Sequence, residues 1–276
     1  KTQINCPSMN CGRSLCAEQF MSGIGFANVF NKKHNTNFNS HEIVELEKAG
    51  LDVVWVPEAY SFDAVSAMGY LAAKTERITI ASGILNIYSR TPSLLAMTAA
   101  GLDELSNGRF MLGLGASGPQ VVEGFHGVPY DAPVTRIREI VEICRNVWLR
   151  EDKLNYAGKK YQIPLPKDQG TGLGIPLKII NHPYREEIPI ALATLGEKSV
   201  EMTAEMADAW LPAFFMAEGA DAVWGDALRA GQRGRGSGNR NLAPRPAGDF
   251  GQSRRDIAGK APRARWRKLR KEHEGE

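Results

Sequence analysis

Between residues 40 and 225 two kinds of apolar spacing alternate along the chain. Short continuous apolar runs predict buried parallel strands, which are covered on both faces and so lack polar alternation. Apolar positions three and four residues apart predict helices with one covered face. Ser40 is placed to cap a helix carrying Ile43, Leu46 and Ala49 on one side, and Gly50 to close it. Residues 51–56 predict the first strand. Ala64, Met68, Leu71 and Ala72 mark the next helix, with Asp63 as its cap. Residues 78–85 predict a second strand, and Thr91-Pro92 opens a helix with proline at its first position. That helix ends at Asn107-Gly108, before a third strand at 110–114. Ile137, Ile140, Val141, Cys144, Val147 and Trp148 share one face of a long helix. A hairpin-like insert follows, with its turn at Asn155-Tyr156-Ala157-Gly158-Lys159. Residues 188–193 predict a fourth strand, 197–207 a helix and 209–215 a fifth strand. Strand alternating with helix predicts a parallel sheet with right-handed crossovers. The pattern alone fits a barrel and a doubly wound sheet equally.

The two ends break this pattern. Residues 1–39 show little periodicity, and only 24–30 resemble a strand. Residues 226–276 are rich in Arg, Gly and Pro, with apolar spacing confined to a basic stretch at 264–271. They hold 14 Lys and Arg against 6 Asp and Glu, a net of +8, whereas the rest of the chain holds 20 against 25, a net of −5. So few apolar residues cannot offset the entropy of ordering the chain. The expected division is an atypical segment 1–39, a core 40–225 and a basic disordered tail 226–276. The absence of an initiator Met suggests a fragment or a processed start.

Composition narrows the function. No run of about 18 apolar residues occurs, and the start lacks a secretory pattern, so a cytoplasmic protein without a membrane segment is expected. Cys6, Cys11 and Cys16 stand at five-residue steps with only Cys144 downstream. Metal sites space cysteines more closely and supply a second cluster, so free thiols and no metal are expected. The basic tail lacks interleaved stacking aromatics, so no nucleic-acid partner is expected. A small-molecule substrate is the expected partner, with a homodimer entertained as the assembly.

Ligands of parallel α/β folds bind at the C-terminal strand ends. That rule selects Glu58, then Gly83, Ile84 and Asn86, then residues 113–118, then residues 194–199. Thr194-Leu195-Gly196-Glu197-Lys198-Ser199 has the form of a phosphate seat: a helix start with open N–H groups and an added cation. An ordinary βα loop has the same form. Residues 113–118 read G-x-G-x-x-G, but Pro119 follows and no long helix does, so a dinucleotide fingerprint is rejected. Gly115, Ser117 and Gly118 are instead read as a loop lying close over a ring or ribityl chain. His126 is a candidate proton donor, against the commoner satisfied loop histidine. Glu58 is a candidate acid or ring contact, against an ion-paired strand-end carboxylate. Arg136 and Arg138 are expected on a solvated helix face, and Trp210 and Trp224 in packing.

Several motifs together carry a resemblance. Leu102-Asp103-Glu104-Leu105-Ser106-Asn107-Gly108-Arg109-Phe110, followed by Leu112-Gly113-Leu114-Gly115, closely resembles the signature of luciferase-like proteins. Ala49-Gly50-Leu51-Asp52, Thr91-Pro92 and Glu123-Gly124-Phe125-His126-Gly127-Val128-Pro129 agree with it in order and spacing over residues 40–224. The resemblance implies an α/β fold, a (β/α)₈ TIM barrel incomplete at its C-terminal end, with FMN or coenzyme F420 at the strand ends. It implies a cis peptide at Gly83–Ile84 supporting the cofactor ring, and a phosphate seat at residues 193–199. Monooxygenases of the family carry Glu-His-His after the first of these strands; Glu58-Ala59-Tyr60 stands here. That favours the F420-dependent branch, which transfers hydride and does not need oxygen. Sugar-phosphate dehydrogenases of the branch carry a glutamate where Ser117-Gly118-Pro119 stands, so a sugar-phosphate substrate is not supported. The expected function is hydride transfer between F420 and a small organic substrate. The alternatives are an FMN-dependent monooxygenase and a non-catalytic truncated remnant.

Overall fold

The computed structural model describes residues 43–48, 50–213, 215–235 and 245–246. The expected strand at 24–30, the Ser40 cap, Cys6, Cys11, Cys16 and the stretch 264–271 lie outside them. In chain order the elements are α1 (Ile43–Lys48), β1 (Val53–Val56), α2 (Ala64–Lys74), β2 (Thr79–Ser82), β3 (Leu85–Asn86) and α3 (Pro92–Leu105). They continue with β4 (Phe110–Gly115), α4 (Pro119–Val122), α5 (Pro133–Leu149), β5 (Tyr156–Ala157) and β6 (Gln162–Ile163). Last come β7 (Ile190–Ala193), α6 (Glu197–Met206), β8 (Ala209–Trp210), α7 (Ala217–Gly234) and β9 (Arg245–Pro246). The main sheet runs β1-β2-β4-β7-β8-β9, all parallel, with β3 also pairing β4. This is the parallel α/β architecture that the resemblance implies, with the described residues supplying part of a (β/α)₈ barrel.

The helices end where their chemistry dictates. Asp63 caps α2 by accepting from the Ser66 amide at 2.7 Å, and Thr91 caps α3 by accepting from Leu94 at 3.3 Å, with Pro92 at the first turn. Asn107 (φ 53°) and Gly108 (φ 77°) then turn left-handed and stop α3. A side chain at 108 would also strike the Tyr184 ring. Between helices and sheet lies one large core, with Ile80, Phe110, Leu112, Leu114, Ile190 and Leu192 fully buried from the strands. Trp148 and Trp210 are buried whole, and each indole N–H reaches a backbone carbonyl, Ala96 and Thr194, at 3.0 Å. No described helix is long and apolar enough to cross a membrane.

Four expectations need correction. The apolar run 209–215 yields only a two-residue strand, because Leu211 still bonds the Leu192 carbonyl (2.9 Å) but Pro212 has no N–H to continue the ladder. In the insert, Tyr156 and Ala157 belong to a strand, and the turn lies between them and Gln162. The boundary drawn at 225/226 falls inside α7. Trp224, Ala227, Leu228 and Gly231 follow helical spacing along it, and the first three pack with Val200 and Trp210. Gly231 lies against α6 so closely that a Cβ would stand 2.0 Å from the Glu201 carbonyl oxygen. Arg136 and Arg138 are partly buried rather than solvated. The Arg136 guanidinium lies 5.4 Å from both the Tyr88 and the Tyr161 rings and holds Asp131 at 2.7 Å, while Arg138 pairs with Glu205.

Candidate active site

Side chains alternate across a strand, and here the two faces differ in size. The helix-covered face carries large aliphatics. The opposite face carries Ala81 and Gly83 from the second strand, Met111, Gly113 and Gly115 from β4, Ala191 and Ala193 from β7, and Ala209 from β8. Towards the C-terminal ends this face is therefore nearly bare backbone. β2 breaks there at a cis Gly83–Ile84 peptide and resumes as β3, as the family resemblance implied. Ser82 covers the gap: its hydroxyl donates to the Gly113 carbonyl and accepts from the Gly113 amide, both at 2.8 Å.

The glycines of β4 divide by this geometry. A Cβ on Gly113 would sit 1.7 Å from the Ser82 carbonyl oxygen, so this glycine serves the sheet rather than a ligand. A Cβ on Gly115 would meet Ile84 at 3.0 Å and Ala193 at 3.3 Å. Ile84 thus packs over the buried Gly115 and beside Ala193, while a Cβ on Gly83 would meet Trp55 at 3.2 Å. Asn86 is buried and its Oδ1 accepts from the Tyr88 amide at 2.9 Å, so its side chain holds the following turn. Ser117 is exposed with φ 57°, and Gly118 starts the short α4.

Glu58 has a partner that its sequence context did not reveal. Arg90 grips its carboxylate through both terminal nitrogens, one of them at 2.7 Å, and also reaches Asp63 at 2.9 Å. The two side chains of the Glu58–Arg90 pair are only 12% and 14% exposed. Burial pushes the Asp63 carboxyl up, but hydrogen bonds from Ser66 and the charge of Arg90 hold it below the usual carboxylate range. The cluster ties the loop after β1 to the start of α3. Glu58 thus has the ion-pair partner expected of a strand-end carboxylate.

His126 lies on the loop after β4, with its amide bonded to the Val121 carbonyl at 3.1 Å. Its ring meets Phe125 edge-on at 5.3 Å, and Phe125 faces Tyr60 at 6.3 Å. At the end of β7, Thr194 is buried and its hydroxyl shares a hydrogen bond of 2.8 Å with Thr203. Gly196 opens α6 with no side-chain cap, and its carbonyl accepts from Ser199 and Val200. The first-turn amides therefore face outward beside the exposed Lys198. Among the described residues no His, Cys, Asp and Glu cluster could hold a metal. Cys144 is buried, and burial pushes its thiol up to about 12, which leaves it inert.

A family model described as luciferase-like monooxygenase matches residues 33–271. A Mycobacterium tuberculosis protein named as a candidate coenzyme F420-dependent oxidoreductase is 43% identical over 173 residues, which cover 63% of this chain and 50% of that protein. The chain spans about half the length of the curated relatives it matches. Among solved structures, the coenzyme F420-dependent tetrahydromethanopterin reductase of Methanopyrus kandleri superposes with a TM-score of 0.59 at 23% identity, over 70% of this chain and 56% of that one. A monooxygenase from Streptomyces bottropensis superposes with a TM-score of 0.57 at 23% identity, over 70% and 59%. At such identities these two structures bear on the fold alone.

Proposed function

The chain belongs to the luciferase-like monooxygenase family, and from that premise we propose that it is an oxidoreductase transferring hydride between coenzyme F420 and a small organic substrate. The observation that carries the reading is the partly exposed Ile84, which packs over the buried Gly115 and beside Ala193 at adjacent strand ends. It fits a flat ring system lying on Ile84, since a larger side chain at 115 would push Ile84 outward. The open first turn of α6, with Gly196 and Lys198, fits the phosphate of the same cofactor. When bound, the deazaflavin supplies a ring carbon that accepts or gives hydride.

The chain's own residues then bind and orient. Ile84 backs the ring, with Ser82 fixing the strand beneath it. Ser117 and Gly118 border the opening. His126 is the residue placed to hold or supply a proton on the substrate side, because Glu58 is held by Arg90. Tyr60 occupies the region where monooxygenases of the family place histidine, which supports F420 over FMN. The FMN-dependent monooxygenase remains the second reading, in keeping with the family description.

Parallel fluorescence titrations with F420 and FMN test the proposal. Tighter binding of F420 is expected. Preference for FMN, with oxygen consumed on reduction, would transfer the function to the second reading.

A further inference from the structure

We propose that Tyr60 and Phe125 form a two-ring clamp that admits a ring-bearing substrate without negative charge and turns away anionic ones. The inference rests on the reading of the strand ends as the reaction site. Tyr60 follows β1 and Phe125 follows β4, and these strands flank β2 in the sheet. The two loops therefore meet over the end of β2, beside the Gly83–Ile84 surface. The ring centroids are 6.3 Å apart with planes inclined at 52°. Both rings are open to solvent, Tyr60 at 50% and Phe125 at 65%. Two large aromatic side chains held together in water at a ligand-binding end mark a contact surface rather than a core.

Charge sets the class of substrate. The loops 57–63 and 116–132 contain no Lys or Arg. The cations that reach these loops are taken up, Arg90 by Glu58 and Asp63, and Arg136 and Lys160 by Asp131. An anionic substrate would find no uncommitted cation among the described residues of these loops. Glu123 is exposed and meets the neutral Tyr130 amide at 3.1 Å, which leaves its charge uncompensated, so a positive group is tolerated beside the ring faces. Ring faces and the His126 imidazole are what the clamp offers, which suits a ring without negative charge.

Three probes sharing one ring separate the possibilities: 2-naphthol, 2-naphthoate and 2-naphthylmethylammonium. Calorimetry measures each against the full chain, with and without F420. Naphthol and the ammonium should both bind tighter than naphthoate. Tyr60→Ala and Phe125→Ala should each weaken it about fivefold or more, the scale of a ring–ring contact, and Tyr60→Phe should retain it. Both side chains are half or more exposed, so the variants should keep the wild-type circular dichroism. Naphthol affinity unchanged in both alanine variants, no naphthol binding at all, or tighter binding of naphthoate than of naphthol overturns the clamp. Failure of F420 to bind the wild type, with naphthol binding still dependent on Tyr60 and Phe125, overturns the cofactor reading and upholds the clamp.

Discussion

The two ends of the sheet are built from opposite materials. At the N-terminal end each turn is closed by charge. Glu47 accepts from the Glu76, Arg77 and Ile78 amides at 2.5–3.1 Å. Arg109 donates to the Thr75, Ile78, Ala72 and Ser106 carbonyls. Arg185 reaches the fully buried Asp103 at 2.5 Å and the Phe110 carbonyl at 2.6 Å. Asp208 accepts from Ile190 at 2.9 Å. At the C-terminal end, apart from the Glu58–Arg90–Asp63 cluster after β1, stand glycines, alanines, an uncapped helix start, a solvent-facing cation and open aromatic rings. The first arrangement fastens strands to helices, and the second leaves room for something that the chain does not itself supply. The contrast agrees with the general division of such folds into a stabilising and a reacting end.

That division predicts opposite signatures for substitutions at the two ends. The largest effect should come from Asp103→Ala, which leaves Arg185 buried without its partner. Burial pushes the Asp103 carboxyl up, and Arg185 opposes this. Loss of ~3–5 kcal/mol in urea unfolding is expected, with F420 affinity of the folded protein unchanged.

Glu47→Ala strands three amides and should cost ~2–3 kcal/mol. This site also has a pH signature. Burial pushes the Glu47 carboxyl up, but the Ile78, Arg77 and Glu76 amides together hold it below its ordinary range. A depressed folded-state value means stability that is present above the unfolded value and lost as pH falls through the folded one. Wild-type protein should therefore lose stability below about pH 4.3, and Glu47→Gln should flatten that loss. An unchanged acid limb in Glu47→Gln would remove the assignment.

Gly115→Val reverses the signature. It should cost ~1–3 kcal/mol of stability through crowding against Ile84 and Ala193, while weakening F420 binding about tenfold or more. Affinity retained in a folded Gly115→Val protein would show that the Ile84 surface is not the ring site. The smallest effect belongs to Lys198→Ala. It should weaken F420 by ~1–2 kcal/mol at low salt, as loss of one charge-assisted bond does, and leave the melting temperature unchanged because Lys198 is exposed.

What could be read in advance follows the same divide. Apolar runs mark β4 and β7 because both of their faces are dry, and caps such as Asp63 and Thr91 mark helix starts because they bond within three residues. The partners of Glu58 and Asp103 lie 32 and 82 residues away in the chain, beyond any local pattern. Gly113 looked like a ligand glycine because the need for a missing Cβ is the same whether a ring or the Ser82 carbonyl approaches it. α7 is obscured because its four glycines break the helical pattern and its end merges with the Arg- and Gly-rich stretch that follows, while Trp224, Ala227 and Leu228 carry its packing. The Tyr60–Phe125 contact joins two loops and has no signal in either.

Hydrogen–deuterium exchange with and without F420 tests the central claim most directly, because it reports both ends of the sheet at once. Cofactor should slow exchange at residues 83–86, 115–118 and 194–199 and leave residues 76–78 and 103–109 unchanged. Protection confined to the N-terminal end, or spread evenly over both ends, would contradict it.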